Sequence, residues 1–320
     1  MYEINYNFID YNYANAYYKQ TYTLNEFACS SIRKGNFWGR NFDWYYNNDV
    51  DFVVRVPAIF GRHSSIAVSG GMKEMSKYFV ESGKYSTMYK IVPFNILDGI
   101  NDAGVFCNNN VVPRDKGETT ATIPTEFKTA EVSMMMLNRY ILDNYSSATE
   151  AVEDIKKHIS VYTSDALGQI GYDCHYLIGD SNKTYVLEII NNVVTYKEHN
   201  IMTNFHIDGV QFNNDGTVYT PATQDSSHSA TKTNKITPYG SGLERYNIMV
   251  NSYNSISSIE DMLSLMHVDL NYNKAYTAAV DPLDDWYTEF VGNYLSGEYT
   301  VDTAIQKYNT NIMPVVRDMF

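Results

Sequence analysis

The chain is 320 residues long and 44% hydrophobic, enough to bury a sizeable core in one large domain. Its net charge of −13, with no local Lys/Arg cluster to offset it, repels phosphate backbones and argues against nucleic-acid binding. Cys29, Cys107 and Cys174 lie far apart and form no Cys-x-x-Cys pair, so neither a zinc knuckle nor a disulfide framework is indicated.

The opening stretch, MYEINYNFIDYNYANAYYKQTYTLNEFA, is polar and aromatic and lacks the basic and apolar regions of a secretory signal. No apolar run approaches the ~20 residues that a membrane span needs. A reducing, cytoplasmic setting is the expectation. Cys29 to Ile32 and Phe37 to Trp44 then read as two strands joined by Lys34-Gly35-Asn36, a hairpin signal. Strand-like runs follow at 51–57, 64–70 and 104–113. A helix is expected from Ala130 to Asn144, where Met134, Leu137 and Ile141 recur at helical spacing. A second follows Ser147, which with Glu150 makes a capping-box pattern. Strands return at 174–180, 184–190 and 193–205. The segment 208–242, rich in Asn, Asp, Ser, Thr and Gly, reads as a long surface excursion of the kind that forms lids and binding loops. A third helix is placed near 257–266, with one or two more beyond Asn271. Strands, two helices, strands, then a helix argue an α+β layered fold over a parallel βαβ sheet.

The chemistry concentrates in FACSSIRKGNFWGRNFDW, residues 27–44. A free cysteine is most often a small buried hydrophobe. As a nucleophile, Cys29 needs a base for its proton and an oxyanion site. Two bases are on offer. One is a histidine elsewhere, from among His158, His175, His199 and His206. The other is the cysteine's own α-amine, which titrates near ~7.7–8 and is a usable base if Cys29 is residue one of the mature chain. The second route requires removal of residues 1–28, by attack of the thiol on the Ala28 carbonyl and hydrolysis of the resulting thioester. Arg40 and Asp43 lie among aromatic neighbours, where burying both charges is costly unless they are paired. The hairpin returns their strand beside Cys29. They differ by three, so in a regular strand they point to opposite faces. Both serve one site only where the strand twists, bulges or ends.

These residues carry a resemblance. CSSI…GRNFDW is similar to the N-terminal signature of the choloylglycine hydrolase family, which includes bile salt hydrolases and penicillin V acylases. The resemblance implies a four-layer αββα N-terminal-nucleophile (Ntn) hydrolase fold with two stacked antiparallel sheets. It implies Cys29 as nucleophile with its α-amine as base, Asp43 holding that amine, and Arg40 as a charge partner near the thiolate. LDGINDAGV (97–105) resembles the family's D-G-(M/I)-N segment, which leads into a strand with a backbone oxyanion donor. That strand ends in Asn108-Asn109-Asn110, and Asn110 is the first choice for the donor. IMTNF (201–205) is similar to L-T-N-x-P, so Asn204 supplies the second donor from its side chain, with His206 where the family has Pro. GSGLERYNIM (240–249) resembles a segment with a site arginine, which maps to Arg245. Trp44 and Asn108 are the expected substrate contacts. The leader is longer than many bile salt hydrolases carry. Longer propeptides occur in ceramidase-like and penicillin acyltransferase-like relatives.

The expectation is therefore a propeptide, residues 1–28, cut from a single catalytic domain, residues 29–320. That domain cleaves a linear, non-peptide amide with an apolar acyl group through a thioester on Cys29, and needs no metal or organic cofactor. Family analogy implies a homo-oligomer, a dimer or tetramer. Two rivals stay open: a Cys-His thiol hydrolase with an intact N-terminus, and a non-catalytic ligand-binding scaffold on the same fold. Glu188, in YVLEII, reads as a strand residue with a local partner, His199 and His206 as loop histidines, and Cys107 and Cys174 as core thiols.

Overall fold

In the computed structural model the described residues are 2–5, 29–42, 52–70, 92–113, 130–162, 172–190, 193–208, 210–218 and 240–266. The chain falls into two compact units, residues 1–267 and 268–320. The helices expected beyond Asn271 lie outside the described residues, as do Ala28, Asp43, Trp44 and most of the 208–242 excursion.

The chain opens with β1 (Tyr2–Asn5) and the hairpin of β2 (Ser30–Lys34) and β3 (Phe37–Asn41). Gly35 takes the positive φ of the two-residue turn, at 58°, which a β-carbon would strain. The turn fixes the register, with Ser31 opposite Arg40 and Lys34 opposite Phe37. Then come β4 (Phe52–Val56), β5 (Ser65–Ser69), β6 (Ile96–Asn101), β7 (Phe106–Pro113) and β8 (Ala130–Ser133). Helices α1 (Leu137–Asn144) and α2 (Ala148–His158) come next, then β9 (Ile159–Tyr162), β10 (Tyr172–Gly179), β11 (Thr184–Ile190) and β12 (Val193–Glu198). Short strands β13 (Ile201–Met202), β14 (Asn204–Phe205) and β15 (Gly240–Ser241) lead to helices α3 (Leu243–Ser252) and α4 (Ile259–Ser264).

The first helix starts later than its spacing predicts. Residues 130–133 pair in parallel with β9, and a 3-10 turn, Met134–Met136, precedes α1. Met134, Leu137 and Ile141 still share the buried face. The Ser147 side chain caps α2 by accepting from Glu150 N, while Glu150 reaches back one residue further, to Ser146 N. A complete capping box, Ser258 with Asp261, opens α4. The run expected as one strand over 193–205 breaks into β12, β13 and β14, which belong to three different sheets.

Among the described residues, eight strands form the main sheet in the order β1-β4-β5-β6-β7-β10-β11-β12, antiparallel except that β1 runs parallel to β4. Alternation along its strands sorts the two faces. Cys107, Val111, Cys174, Tyr176, Ile178, Leu187 and Ile189 pack with Leu137, Ile141, Val152 and Ile155 of α1 and α2 in the larger core. Phe106, Asn108 and Asn110 face the other way, toward the three-stranded sheet β13-β2-β3, where Trp38 stacks on Phe106 with ring centroids 4.7 Å apart. Helices α3 and α4 contact the outer side of that second sheet, where the missing side chain of Gly39 makes room for Met262 and Met266. The layers are helix, sheet, sheet, helix. The fold is the αββα sandwich that the sequence implies, and its two sheets are sewn together by polar side chains.

A candidate active site between the two sheets

Cys29 stands immediately before β2 and is fully buried. Its carbonyl accepts from Arg245 Nη1 at 2.7 Å. The same nitrogen lies 3.2 Å from Ser30 Oγ, and Arg245 Nη2 donates to Asn204 Oδ1 at 3.0 Å. One guanidinium thus joins the start of β2 to β14. The fork geometry of arginine suits this double duty, which a lysine point charge cannot match.

Arg245 reaches this position because α3 begins directly after Gly242, whose φ is 86°. A β-carbon there would stand 2.5 Å from Arg245 Nη2 and 3.0 Å from Thr203. Gly242→Ala is therefore expected to cost about 1–2 kcal/mol in backbone strain and to displace the guanidinium. Urea unfolding measures the first effect. A parent-like midpoint with parent-like activity would contradict both.

Holding Oδ1 on Arg245 turns the other end of the Asn204 amide toward β7. Nδ2 donates to Val111 O at 2.7 Å, and its second N–H has no acceptor among the described residues. Asn110 sits close by, but its side chain is fully used. Its Nδ2 donates to Thr203 O at 3.1 Å and approaches Met202 O at 3.3 Å, and its Oδ1 accepts from Ser31 Oγ at 3.3 Å. Asn108 does parallel work: Nδ2 donates to Ser31 Oγ at 2.7 Å and Oδ1 accepts from Trp38 Nε1 at 3.3 Å. These buried amides hold the second sheet in register on the first.

The backbone of β7 carries a further distinction. Within a strand the N–H and C=O of one residue point to the same side. The Asn109 carbonyl accepts from Arg40 Nη2 at 2.8 Å and the Val111 carbonyl accepts from Asn204. The N–H groups of Asn109 and Val111 share that side. Asn110, opposite His175, turns its own N–H toward β10.

Arg40 solves the puzzle of a cation inside an apolar hairpin. It crosses from β3 to the main sheet and pairs with Asp98 of β6, Nη1 to Oδ2, at 2.9 Å. Asp98 belongs to the LDGIN segment, which therefore supplies an acid partner that sequence reading did not single out. In the same segment Asn101 organises the β6–β7 turn, accepting from Ala103 N and Val105 N and donating to Leu142 O and Tyr145 O. The strand β3 ends at Asn41, ahead of Asp43. Burial pushes the Cys174 thiol up to about 12 and raises Cys107 as well, so neither is a ready thiolate.

The helix that carries Arg245 is pinned by its next residue. Tyr246 Oη lies 2.8 Å from His199 Nε2 and the two rings stack with centroids 5.8 Å apart. Although His199 keeps some accessible surface, its ring is enclosed by Tyr246 and Phe212, and burial, helped by Lys197, lowers its pKa to about 4. An unfolded imidazole titrates near 6.5. The unfolded chain therefore takes up the proton first as pH falls. The His199 contribution to stability is whole above pH 6.5 and is lost progressively toward pH 4. Thermal midpoints across that window should fall more steeply in the parent than in His199→Gln. Parallel curves would refute the assignment.

Asn204 and Arg245 thus converge with Cys29, Arg40 bonds the adjacent Asn109 carbonyl, and Asn108 and Asn110 serve as inter-sheet ties. The histidines on offer as bases are otherwise engaged: His175 and His206 with Glu188, His199 with Tyr246, and His158 with Asp154.

Comparison with solved structures finds a variant of the conjugated bile acid hydrolase from Clostridium perfringens, 14% identical, over 74% of this chain and 78% of that one, with a TM-score of 0.45. Penicillin V acylase from Agrobacterium tumefaciens is also 14% identical, over 75% of this chain and 64% of that one, with a TM-score of 0.35. A search of curated proteins gave no match. Residues 32–281 match the family model described as acyl-coenzyme A:6-aminopenicillanic acid acyl-transferase, a family of the same Ntn class as the choloylglycine hydrolases that the sequence resembles. The match begins three residues after Cys29 and takes in the segments that supply Arg40, Asp98, Asn204 and Arg245, and the chain belongs to the acyl-coenzyme A:6-aminopenicillanic acid acyl-transferase family.

Proposed function

We propose that the protein is a cysteine Ntn amidohydrolase that cleaves a linear amide with an apolar acyl group. The reading is carried by one observation: the Arg245 guanidinium holds the carbonyl of Cys29 and the side chain of Asn204, a nucleophile and an oxyanion donor, in one place. In this mechanism residues 1–28 are removed first. The Cys29 thiol passes its proton to its own α-amine and attacks the amide carbonyl. The free N–H of Asn204 and a backbone N–H of β7 receive the oxyanion. The side sharing along β7 favours the Val111 N–H for this role over that of Asn110. The protonated amine then gives its proton to the leaving nitrogen, and water releases the acyl group from sulfur. Arg40, neutralised by Asp98, ties β3 to the site wall, and Asp43 holds the amine.

The family to which the chain belongs favours a second reading, in which an amine takes the acyl group from Cys29 in place of water. The chemistry up to the thioester is the same. Intact-mass analysis of the purified protein, followed by a panel of acyl amides with and without an added acceptor amine, tests both. A mature chain beginning at Cys29 that releases amine without an acceptor supports hydrolysis, and product formed only with the acceptor supports transfer. An active chain that retains residues 1–28 overturns the α-amine as base.

A further inference from the structure

Glu188 is a carboxylate buried between the sheets at 2% exposure. It lies on β11, on the face opposite Leu187 and Ile189, and it is not alone there. Its Oε1 accepts from Ile207 N at 2.8 Å and its Oε2 from Asp208 N at 2.7 Å. His175 Nδ1 stands 3.2 Å from Oε1, and His206 Nδ1 stands 3.4 Å from the same oxygen. The far nitrogen of His175, Nε2, lies 2.8 Å from the Thr203 carbonyl. A carbonyl oxygen only accepts, so Nε2 carries a hydrogen. Nδ1 then faces a carboxylate oxygen, and a further proton must lie between them. Burial raises the Glu188 carboxyl, but hydrogen bonds from the two histidines outweigh it and hold the group well below the ordinary carboxylate range.

A charged cluster here is expensive, and apolar side chains of similar volume would fill the space at less cost. What the cluster touches explains its position. Asn204 sits on a short arc, residues 203–208. Glu188 holds the far end of the arc directly, through the amides of Ile207 and Asp208. It holds the near end through His175 and the Thr203 carbonyl. That carbonyl and the Asn204 N–H belong to one planar peptide unit, so fixing the first fixes the direction from which the Asn204 side chain departs. Asn110 Nδ2 donates to the same carbonyl and completes its two acceptor positions.

We propose that Glu188 and His175 are positioning residues for the oxyanion site, acting through the Thr203 carbonyl to aim the Asn204 amide. The proposal rests on the reading of Asn204 as an oxyanion donor. It adds two residues, from β10 and β11, that never meet substrate. Misplacing a reacting group by about 1 Å costs on the order of 100-fold in rate. Asn110 retains its hold on Thr203, so a smaller loss is expected from removing either member of the pair.

The test is steady-state amide cleavage by the processed full chain, with each rate divided by the amount of Cys29 titrated with iodoacetamide. In Glu188→Gln one acceptor oxygen becomes an N–H facing a backbone N–H. The expected result is a fall in kcat per titrated thiol of about tenfold with KM within about twofold. His175→Ala should do the same. His175→Gln, whose amide nitrogen can stand where Nε2 stood, should recover most of the loss. The proposal is overturned if kcat per titrated thiol stays within about twofold of the parent, if KM rises in step, or if His175→Gln is no better than His175→Ala. Should Glu188→Gln fail to fold, the two His175 variants decide. A parent without Cys29-dependent turnover sinks the reading of the site itself, and the positioning with it.

Discussion

Cys29→Ala is expected to lower amide cleavage by on the order of 10⁴-fold or more and to leave residues 1–28 attached. Both outcomes follow from one atom. In the proposed mechanism the thiol of Cys29 is the nucleophile toward substrate and toward the Ala28 carbonyl, and while the Ala28–Cys29 bond is intact the proposed base is an amide nitrogen. No other described thiol can stand in. Cys174 and Cys107 face the helix side of the main sheet with their thiols pushed up by burial. Intact mass reads the leader and amine release reads the activity. A Cys29→Ala chain that still loses residues 1–28 unaided would mean that another group cuts the bond. A variant that turned over amides at the parent's rate would leave the Cys29 mechanism without support.

Much of this arrangement is legible in the sequence. The Gly35 turn sets the β2–β3 register, and the register places Arg40 opposite Ser31 and one residue from Asn41, which pairs with Ser30. The order of strand and helix signals is sufficient for the layered fold. Pairing at long range is not legible. Residues 130–133 continue the helical spacing of Met134, Leu137 and Ile141, but their partner is β9, so α1 begins only at Leu137. The run 193–205 looks continuous, yet breaks at His199-Asn200 and at Thr203 hand its parts to different sheets. Glu188 looks like an ordinary strand residue because its partners come from β10 and the 206–208 segment. The same limit applies to Asn110. Only the hydrogen-bond sides of β7, read from Arg40 and Asn204, separate its peptide N–H from that of Val111.

Asn204→Ala should lower kcat by about 10²–10³-fold, or about 3–4 kcal/mol of barrier, while KM changes little. In the proposed mechanism the second Nδ2–H, which has no acceptor among the described residues, is the oxyanion donor, and its direction is set from both ends of the amide, by Arg245 on Oδ1 and Val111 on Nδ2. Truncation leaves Arg245 its bonds to the Cys29 carbonyl and Ser30 Oγ, so the nucleophile keeps its place. The loss is then charge stabilisation in the transition state, which appears in kcat. Asn204→Asp sharpens the test. A carboxylate would bind Arg245 at least as well as the amide does, but its second oxygen would face the Val111 carbonyl that Nδ2 now serves, so some stability is lost. It would also set a negative oxygen where the oxyanion forms. A chain that folds but melts below the parent, and is slower than Asn204→Ala, is the expected result. Parent-like kcat in Asn204→Asp would remove Asn204 from the oxyanion site and leave Arg245 a purely structural tie.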